Sequence, residues 1–241
     1  MARLIASLAT VAAVLIAMPA GATIAPPMNG YSVEVVFSPK LAKNMERINR
    51  VEQTLEKRFR KNGTDRPNPR ETAVHRFAKN QTEGTVWAGE RLIPDVDEYT
   101  VENLVKALTA DNINRAVPDF RGTIRYEIRS IKTSDHSVAL LRGVSSYVIG
   151  KVSLIDSDGK VLRTEKISAN LVVDPTVDTS YKGPKYAFLE TEDSDRVGPV
   201  LSYFVEKALE RLWPDRKDEI HGPVLVRVSG PNETIIEGGS F

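Results

Sequence analysis

The sequence predicts an α+β fold, in which an antiparallel sheet is covered by two or more amphipathic helices. We expect a meander of at least three strands plus an N-terminal strand. One observation is the segment 145–173, where two β-rich runs flank Asp-Ser-Asp-Gly, a composition that favours a hairpin turn. Another is the alternation of apolar and polar residues over 123–132. A third is helical spacing of apolar residues near 41–59 and 197–212.

The composition is that of an ordinary globular protein. The chain has 241 residues, of which 41% are hydrophobic and 27% are charged, which is enough for one sizeable core. It holds 33 Lys and Arg and 32 Asp and Glu; residues 1–22 carry only Arg3, so the remainder balances at 32 of each sign. This balance argues against nucleic-acid binding. The absence of cysteine excludes disulfides, thiolate metal sites and a cysteine nucleophile.

The N-terminal segment has the pattern of a secretory signal. Arg3 precedes an apolar run over residues 4–18, and the small residues 20–22 follow it. We therefore expect cleavage after Ala22 and a periplasmic or secreted protein without a stable membrane span. The run is shorter than the roughly 20 residues that cross a bilayer. The alternative is an uncleaved N-terminal segment that anchors the protein to the membrane.

The predicted organisation is a signal at 1–22, a lead segment at 23–30, one α+β domain at 31–214 and a partly disordered extension at 215–241. The domain is expected to open with a strand at 31–37. Ser38 and Pro39 then start a helix, because they supply a capping hydroxyl and a proline at the first helical position.

Further sequence patterns predict the helices and strands in the rest of the domain. Thr100 caps a helix that is expected to reach Ala116. The strand at 123–132, a short β run at 138–141 and the hairpin form the predicted meander. A core-facing helix over 197–212 closes the domain, and residues 223–228 are expected to add an edge strand.

The helix after Ser38 is predicted to have two opposite faces. Leu41, Met45, Ile48, Leu55 and Phe59 form its apolar stripe. A basic stripe recurs about two positions beyond the apolar one, which places it on the other side of the helix. Its candidate binding residues are Lys43, Arg47, Arg50, Lys57, Arg58 and Lys61.

The basic stripe allows a functional and a plain interpretation. Residues 40–70 hold ten Lys and Arg, Arg60 among them, against four acids. The functional interpretation is a docking face for an anionic partner, either an envelope component such as phospholipid or lipopolysaccharide phosphates, or an acidic protein. The plain interpretation is a solvated face whose charge is reduced by Glu46, Glu52 and Glu56.

No segment predicts a catalytic residue, a metal ligand or a cofactor site. Asp156 and Asp158 resemble the start of a calcium loop but lack its remaining ligands, which favours a hairpin turn. His75 and His136 stand without a positioned nucleophile. The acids at 190–195 precede the last helix, where negative charge complements the helix dipole.

The layout of signal, strand, helices, antiparallel strands and closing helix resembles that of small Gram-negative envelope proteins. These include the lipopolysaccharide-assembly lipoprotein group and uncharacterised exported families. The lipid-bearing cysteine of those lipoproteins is absent here. The resemblance covers about 31–213 and implies an accessory or assembly role without chemistry.

The sequence therefore favours a non-catalytic exported protein that binds or helps to assemble an envelope component. One alternative is a periplasmic hydrolase whose site is assembled only in three dimensions, with His75, His136 or His221 beside an acid. Another is a membrane-tethered structural subunit that keeps its N-terminal apolar run.

Overall fold

The computed structural model describes residues 26–62, 82–133, 146–171, 175–176, 181–189 and 196–226. The strands of the described residues are β1 (Tyr31–Phe37), β2 (Gly122–Lys132), β3 (Tyr147–Ile155), β4 (Val161–Asn170), β5 (Pro175–Thr176), β6 (Tyr186–Leu189) and β7 (Pro223–Val226). The helices are α1 (Pro39–Asn62), α2 (Ala88–Leu92), α3 (Val101–Ala116) and α4 (Val197–Leu212), with 3₁₀ turns at Val96–Glu98 and Pro214–Glu219.

The predicted α+β class is confirmed by a four-stranded sheet in the order β1-β2-β3-β4. β2, β3 and β4 form the expected antiparallel meander. β1 runs parallel to β2, so the sheet is mixed. Helices lie between β1 and β2 in the chain because a parallel pair needs a long crossover. The predicted β run at 138–141 lies outside the described residues.

The turn between β3 and β4 is the hairpin turn that the sequence predicts. Asp156 Oδ1 accepts hydrogen bonds from the backbone nitrogens of Asp158 (3.0 Å) and Lys160 (2.8 Å). Gly159 has φ of 81°, which favours glycine. The Asp156 carboxylate is therefore used to close the turn.

The inner face of this sheet carries the main core. Ile124, Tyr126 and Val152 are fully buried there, and α3 and α4 pack over them. The Phe204 ring of α4 lies 6.0 Å from that of Tyr126. Gly150 permits this approach, because a Cβ there would lie 3.1 Å from Phe204 Cζ and 2.6 Å from the Glu127 carbonyl oxygen.

The chain after Pro214 continues the packed structure. β7 is the central strand of a parallel sheet in the order β5-β7-β6, whereas the sequence predicted an edge strand. Ile220, Leu225 and Val226 are buried. Asn112 of α3 holds this segment, since its Oδ1 accepts from the His221 nitrogen (2.8 Å) and its Nδ2 donates to the His221 oxygen (3.2 Å).

The N-terminus of α4 is neutralised by carboxylates of α1. Glu52 Oε1 accepts a hydrogen bond from Val197 N (3.2 Å), and Arg196 Nη2 lies 2.6 Å from Glu56 Oε2. Glu52 and Glu56 expose only 5% and 2% of their surface. The interpretation of these two acids as part of a solvated face is therefore wrong. The acids at 190–195, expected in this role, lie outside the described residues.

Candidate functional site

The long helix α1 presents the predicted candidate binding residues to solvent. Its 24 residues extend for about 36 Å. Leu41, Met45 and Phe59 are buried on one side. On the opposite side the structure brings together six exposed cations, which we call the basic face: Lys43, Arg47, Arg50, Lys57, Arg58 and Lys61.

Two cations of the basic face have acid partners. Arg50 Nη2 lies 2.6 Å from Glu46 Oε1, and Lys57 Nζ lies 2.5 Å from Asp97 Oδ1. All four side chains are more than half exposed, so each pair contributes at most about 1 kcal/mol and can exchange for another anion. Within the described part of the chain, no carboxylate pairs with Lys43, Arg47 or Arg58. The face therefore keeps a net positive charge.

Arg60, which the sequence counts in the local positive charge, does not belong to this face. Its Nε donates to Glu56 Oε1 (2.9 Å), while Nη1 and Nη2 donate to the carbonyl oxygens of Pro94 (2.7 Å) and Ile93 (2.8 Å). The side chain thereby joins α1 to the end of α2. The sequence could not indicate this inward position, because the two carbonyl acceptors are more than 30 residues away in the chain.

Arg60 belongs to a cluster of buried charged groups. Glu56 lies between Arg60 and Arg196, and the Arg196 guanidinium also lies 5.6 Å from the Tyr99 ring centre. Burial raises the pKa of Tyr99 above its ordinary value. Burial alone would lower the pKa of Arg196, but Tyr99 and the two glutamates raise it. The ion pairs of Glu56 with Arg60 and Arg196 stabilise the junction of α1, α2 and α4, and Tyr99 keeps its proton.

A second candidate surface is the outer face of the four-stranded sheet. The described helices contribute to the core on the other side. Neighbouring strands place Glu34 beside Arg125 and Glu127 beside Lys151 in cross-strand register. The Arg125 Nε–Glu34 Oε2 distance is 2.7 Å and the Lys151 Nζ–Glu127 Oε2 distance is 3.0 Å. Much of this face is thus a paired, solvated surface.

One part of the outer face is a cleft of about 620 Å³. It contains two exposed apolar side chains, Val36 and Ile149, which leave 49% and 38% of their surface open. Two residues of β1 and three consecutive residues of each of β2, β3 and β4 contribute to it, together with the start of α1. The lining residues are Val36, Phe37, Ser38, Pro39, Glu127, Ile128, Arg129, Ile149, Gly150, Lys151, Lys166, Ile167 and Ser168.

The cleft is joined to the start of α1 through Ser38. Its hydroxyl donates to the Arg129 carbonyl oxygen (2.9 Å) and accepts from Leu41 N (3.3 Å). The register of β2 shifts between Ile128 and Ser130, so Arg129 sits in a bulge. Arg129 is one of the residues that line the cleft.

Two cleft cations differ from the others on this face. In residues 26–62, 82–133 and 146–171, neither Arg129 nor Lys166 has a carboxylate partner, whereas Lys151 is paired with Glu127. The cleft thus combines apolar contact area with two cations. Sequence reasoning missed it because Val36 and Ile149 belong to strands that are far apart in the chain. The signal that could have revealed the cleft is that Val36 and Ile149 are apolar residues on the solvent-facing side of their strands.

The described histidine does not form a catalytic pair. His221 Nδ1 is buried without a hydrogen-bond partner among the described residues. Burial and the nearby Arg115 lower the pKa of His221. The neighbouring Asp111 carboxylate is occupied, because its Oδ2 accepts from Tyr186 Oη (2.8 Å) and Arg115 Nη1 (3.0 Å). His75 and His136 lie outside the described residues.

The described segments contain no group of three or more His, Cys, Asp or Glu residues arranged to hold a metal ion. Among their helices, none combines the length and the apolar character needed to cross a bilayer.

Comparisons with known protein families, with curated proteins and with solved structures show no significant match to this chain. The resemblance to envelope assembly proteins stays a prediction.

Proposed function

We propose that this protein is a non-catalytic exported protein that docks on an anionic component of the cell envelope through the basic face of α1. The observation that carries the proposal is the division of this helix. Its apolar side packs into the core, where Leu41 and Met45 are only 8% and 7% exposed, while its cations point outward.

The burial of the apolar side of α1 determines how the folded protein can dock. An amphipathic helix that enters a membrane must free its apolar side, and α1 would have to leave the core to do so. Docking by the folded protein is therefore electrostatic. Each Lys or Arg close to an anionic surface contributes about 1 kcal/mol, and this contribution decays within a Debye length of about 8 Å at physiological salt.

The geometry of the basic face suits an extended anionic surface. From Lys43 to Lys61 the helix rises about 27 Å. A single small anion would meet one or two of these cations, whereas a surface that carries many anions meets most of them together. This supports a partner such as a phospholipid or lipopolysaccharide layer over a free small anion.

The exported location is part of the proposal. It is supported by the apolar run after Arg3, the small residues at 20–22 and the lack of cysteine. N-terminal sequencing of the purified protein from its native compartment tests it. A start at Thr23 supports export with cleavage, and a start at Met1 supports the membrane-tethered alternative.

The docking test compares binding to anionic and zwitterionic vesicles at low and high salt. We expect binding to anionic vesicles at low salt, and a loss of at least about tenfold when salt is raised. The triple reversal Arg47→Glu, Arg50→Glu and Lys57→Glu should abolish it. Equal binding to both vesicle types, or binding insensitive to salt and to the reversal, would overturn the proposal.

A matched control separates the basic face from net charge. Lys160, Arg211 and Lys217 are exposed and lie on the β3–β4 turn, on α4 and after α4. The triple variant Lys160→Glu, Arg211→Glu and Lys217→Glu changes the net charge by the same amount. We expect it to retain most of the binding, and thermal unfolding of both variants checks that they are folded.

A further inference from the structure

We propose that the cleft on the outer face of the sheet binds a fatty acid anion of about twelve carbons, with its chain laid across the strands. This site is separate from the basic face of α1 and goes beyond the docking function. Its residues come from all four strands of the sheet and from the start of α1.

The direction of the cleft decides what kind of chain fits. Its lining takes Val36, Glu127, Lys151 and Lys166, which are cross-strand neighbours on β1 to β4. The cleft therefore crosses the strands and spans three interstrand spacings, about 14 Å. A partner strand adds along an edge of a sheet, parallel to its strands, and would not follow this path.

The size of the cleft favours a thin ligand. Its 620 Å³ falls within the range of small-molecule sites. A helix of a partner protein is about 10 Å across and would need a wider trough over this length. An extended hydrocarbon chain advances roughly 1.25 Å per carbon, so about eleven carbons span the cleft.

Apolar contact and charge are both provided. Val36 and Ile149 are exposed, and a chain lying on them would remove their open surface from water. Among the described residues Arg129 and Lys166 have no carboxylate partner and can meet an anionic head group, whereas the Lys151 ammonium is matched by Glu127 at 3.0 Å. A neutral ligand would leave both cations unused, so a carboxylate at one end of the chain fits best.

Calorimetric titration with dodecanoate, below its aggregation concentration, tests the site. We expect saturable one-to-one binding that weakens about two- to fourfold for each methylene removed, because the chain is partly desolvated. Dodecanol should bind at least about tenfold more weakly, since it lacks the charge. No binding of dodecanoate, or equal binding of octanoate and dodecanoate, would overturn the proposal.

Variants locate the binding. Ile149→Asp places a carboxylate in the cleft and should abolish binding, whereas Leu162→Asp should not, because Leu162 is 55% exposed but lies outside the lining. Arg129→Glu with Lys166→Glu should weaken binding at least about tenfold. If the cleft variants fail to fold, chemical shifts of the unmodified protein must change at Val36 and Ile149 on titration, and unchanged shifts there overturn the site.

The two proposals fail separately. Arg47→Glu with Arg50→Glu should remove vesicle docking and leave dodecanoate binding unchanged. A dodecanoate affinity that falls with this variant as much as with the cleft variants would show adsorption to the basic face and would overturn the cleft site.

Discussion

The two faces of the four-stranded sheet differ in how completely they are used by the fold. On the inner face Ile124 and Tyr126 are fully buried beneath helices. On the outer face the ion pairs are matched across strands, yet Val36 and Ile149 remain exposed beside the cations of the cleft. Folding explains the inner face, but it does not explain why Val36 and Ile149 stay exposed beside cations that have no carboxylate partner among the described residues. We propose binding as the reason.

The largest expected contrast is in core truncation. Phe204→Ala should lower the free energy of unfolding by about 3–5 kcal/mol, because the ring is fully buried against Tyr126. Ile149→Ala should cost less than about 1 kcal/mol, since the side chain is 38% exposed. Urea unfolding at constant m-value measures both. A similar cost for the two would mean that the outer face is as well packed as the inner one.

Buried and exposed glutamates of α1 give the next contrast. Glu56→Gln should destabilise by about 3 kcal/mol, because it leaves Arg196 and Arg60 as poorly compensated buried charges. Glu46→Gln removes only an exposed i,i+4 pair with Arg50 and should cost less than about 0.5 kcal/mol. Thermal and urea unfolding at pH 7 measure the difference. Equal effects would show that the buried network does not stabilise the junction.

The two sides of α1 also differ in how far the sequence could predict them. The stripe of Leu41, Met45 and Phe59 predicted the buried side of α1, because helical spacing is a property of one segment. Glu52, Glu56 and Arg60 turn inward only because Arg196 and the carbonyl oxygens of residues 93 and 94 are there to receive them. No local pattern contains those partners.

In the sheet, too, only the features that depend on a local pattern could be predicted from the sequence. Alternation predicted β2, and the Asp-Ser-Asp-Gly composition predicted the turn at Asp156, since each signal is local. The parallel pairing of β1 with β2 and the central place of β7 depend on how distant segments meet. The cleft was missed for this reason, because Val36 and Ile149 are brought to one surface only when β1, β2 and β3 pair.

Two helix caps extend the contrast between the faces. Thr100 Oγ1 accepts from Asn103 N (3.1 Å) at the start of α3, and Ser38 Oγ caps α1 while bonding the Arg129 carbonyl oxygen. Each change to alanine should cost about 1 kcal/mol in unfolding experiments. Only Ser38→Ala should also weaken dodecanoate binding, because Ser38 lines the cleft. Equal weakening by Thr100→Ala would point to a general loss of order.

The smallest expected effect is on the pH dependence of stability, and it comes from a carboxyl group on α4. Burial, and then repulsion from Glu210, raise the pKa of Glu206 on α4 to about 7. The carboxyl packs beside Gly222, just before β7. Between its unfolded value near 4.5 and about 7, the folded chain holds a proton that the unfolded chain has lost, so stability falls as pH rises through this window.

Glu206→Gln removes this titration and keeps a neutral polar group. We expect the variant to match the original protein at pH 4 and to exceed it above pH 7 by about 1 kcal/mol or less, because Glu206 is partly exposed and solvent screens its charge. His221 acts in the opposite sense: its lowered pKa makes stability fall as pH falls below about 6.5. The difference between variant and original protein at each pH cancels that contribution. A difference that does not change from pH 4 to pH 8 would show that Glu206 is solvated like an ordinary surface carboxylate.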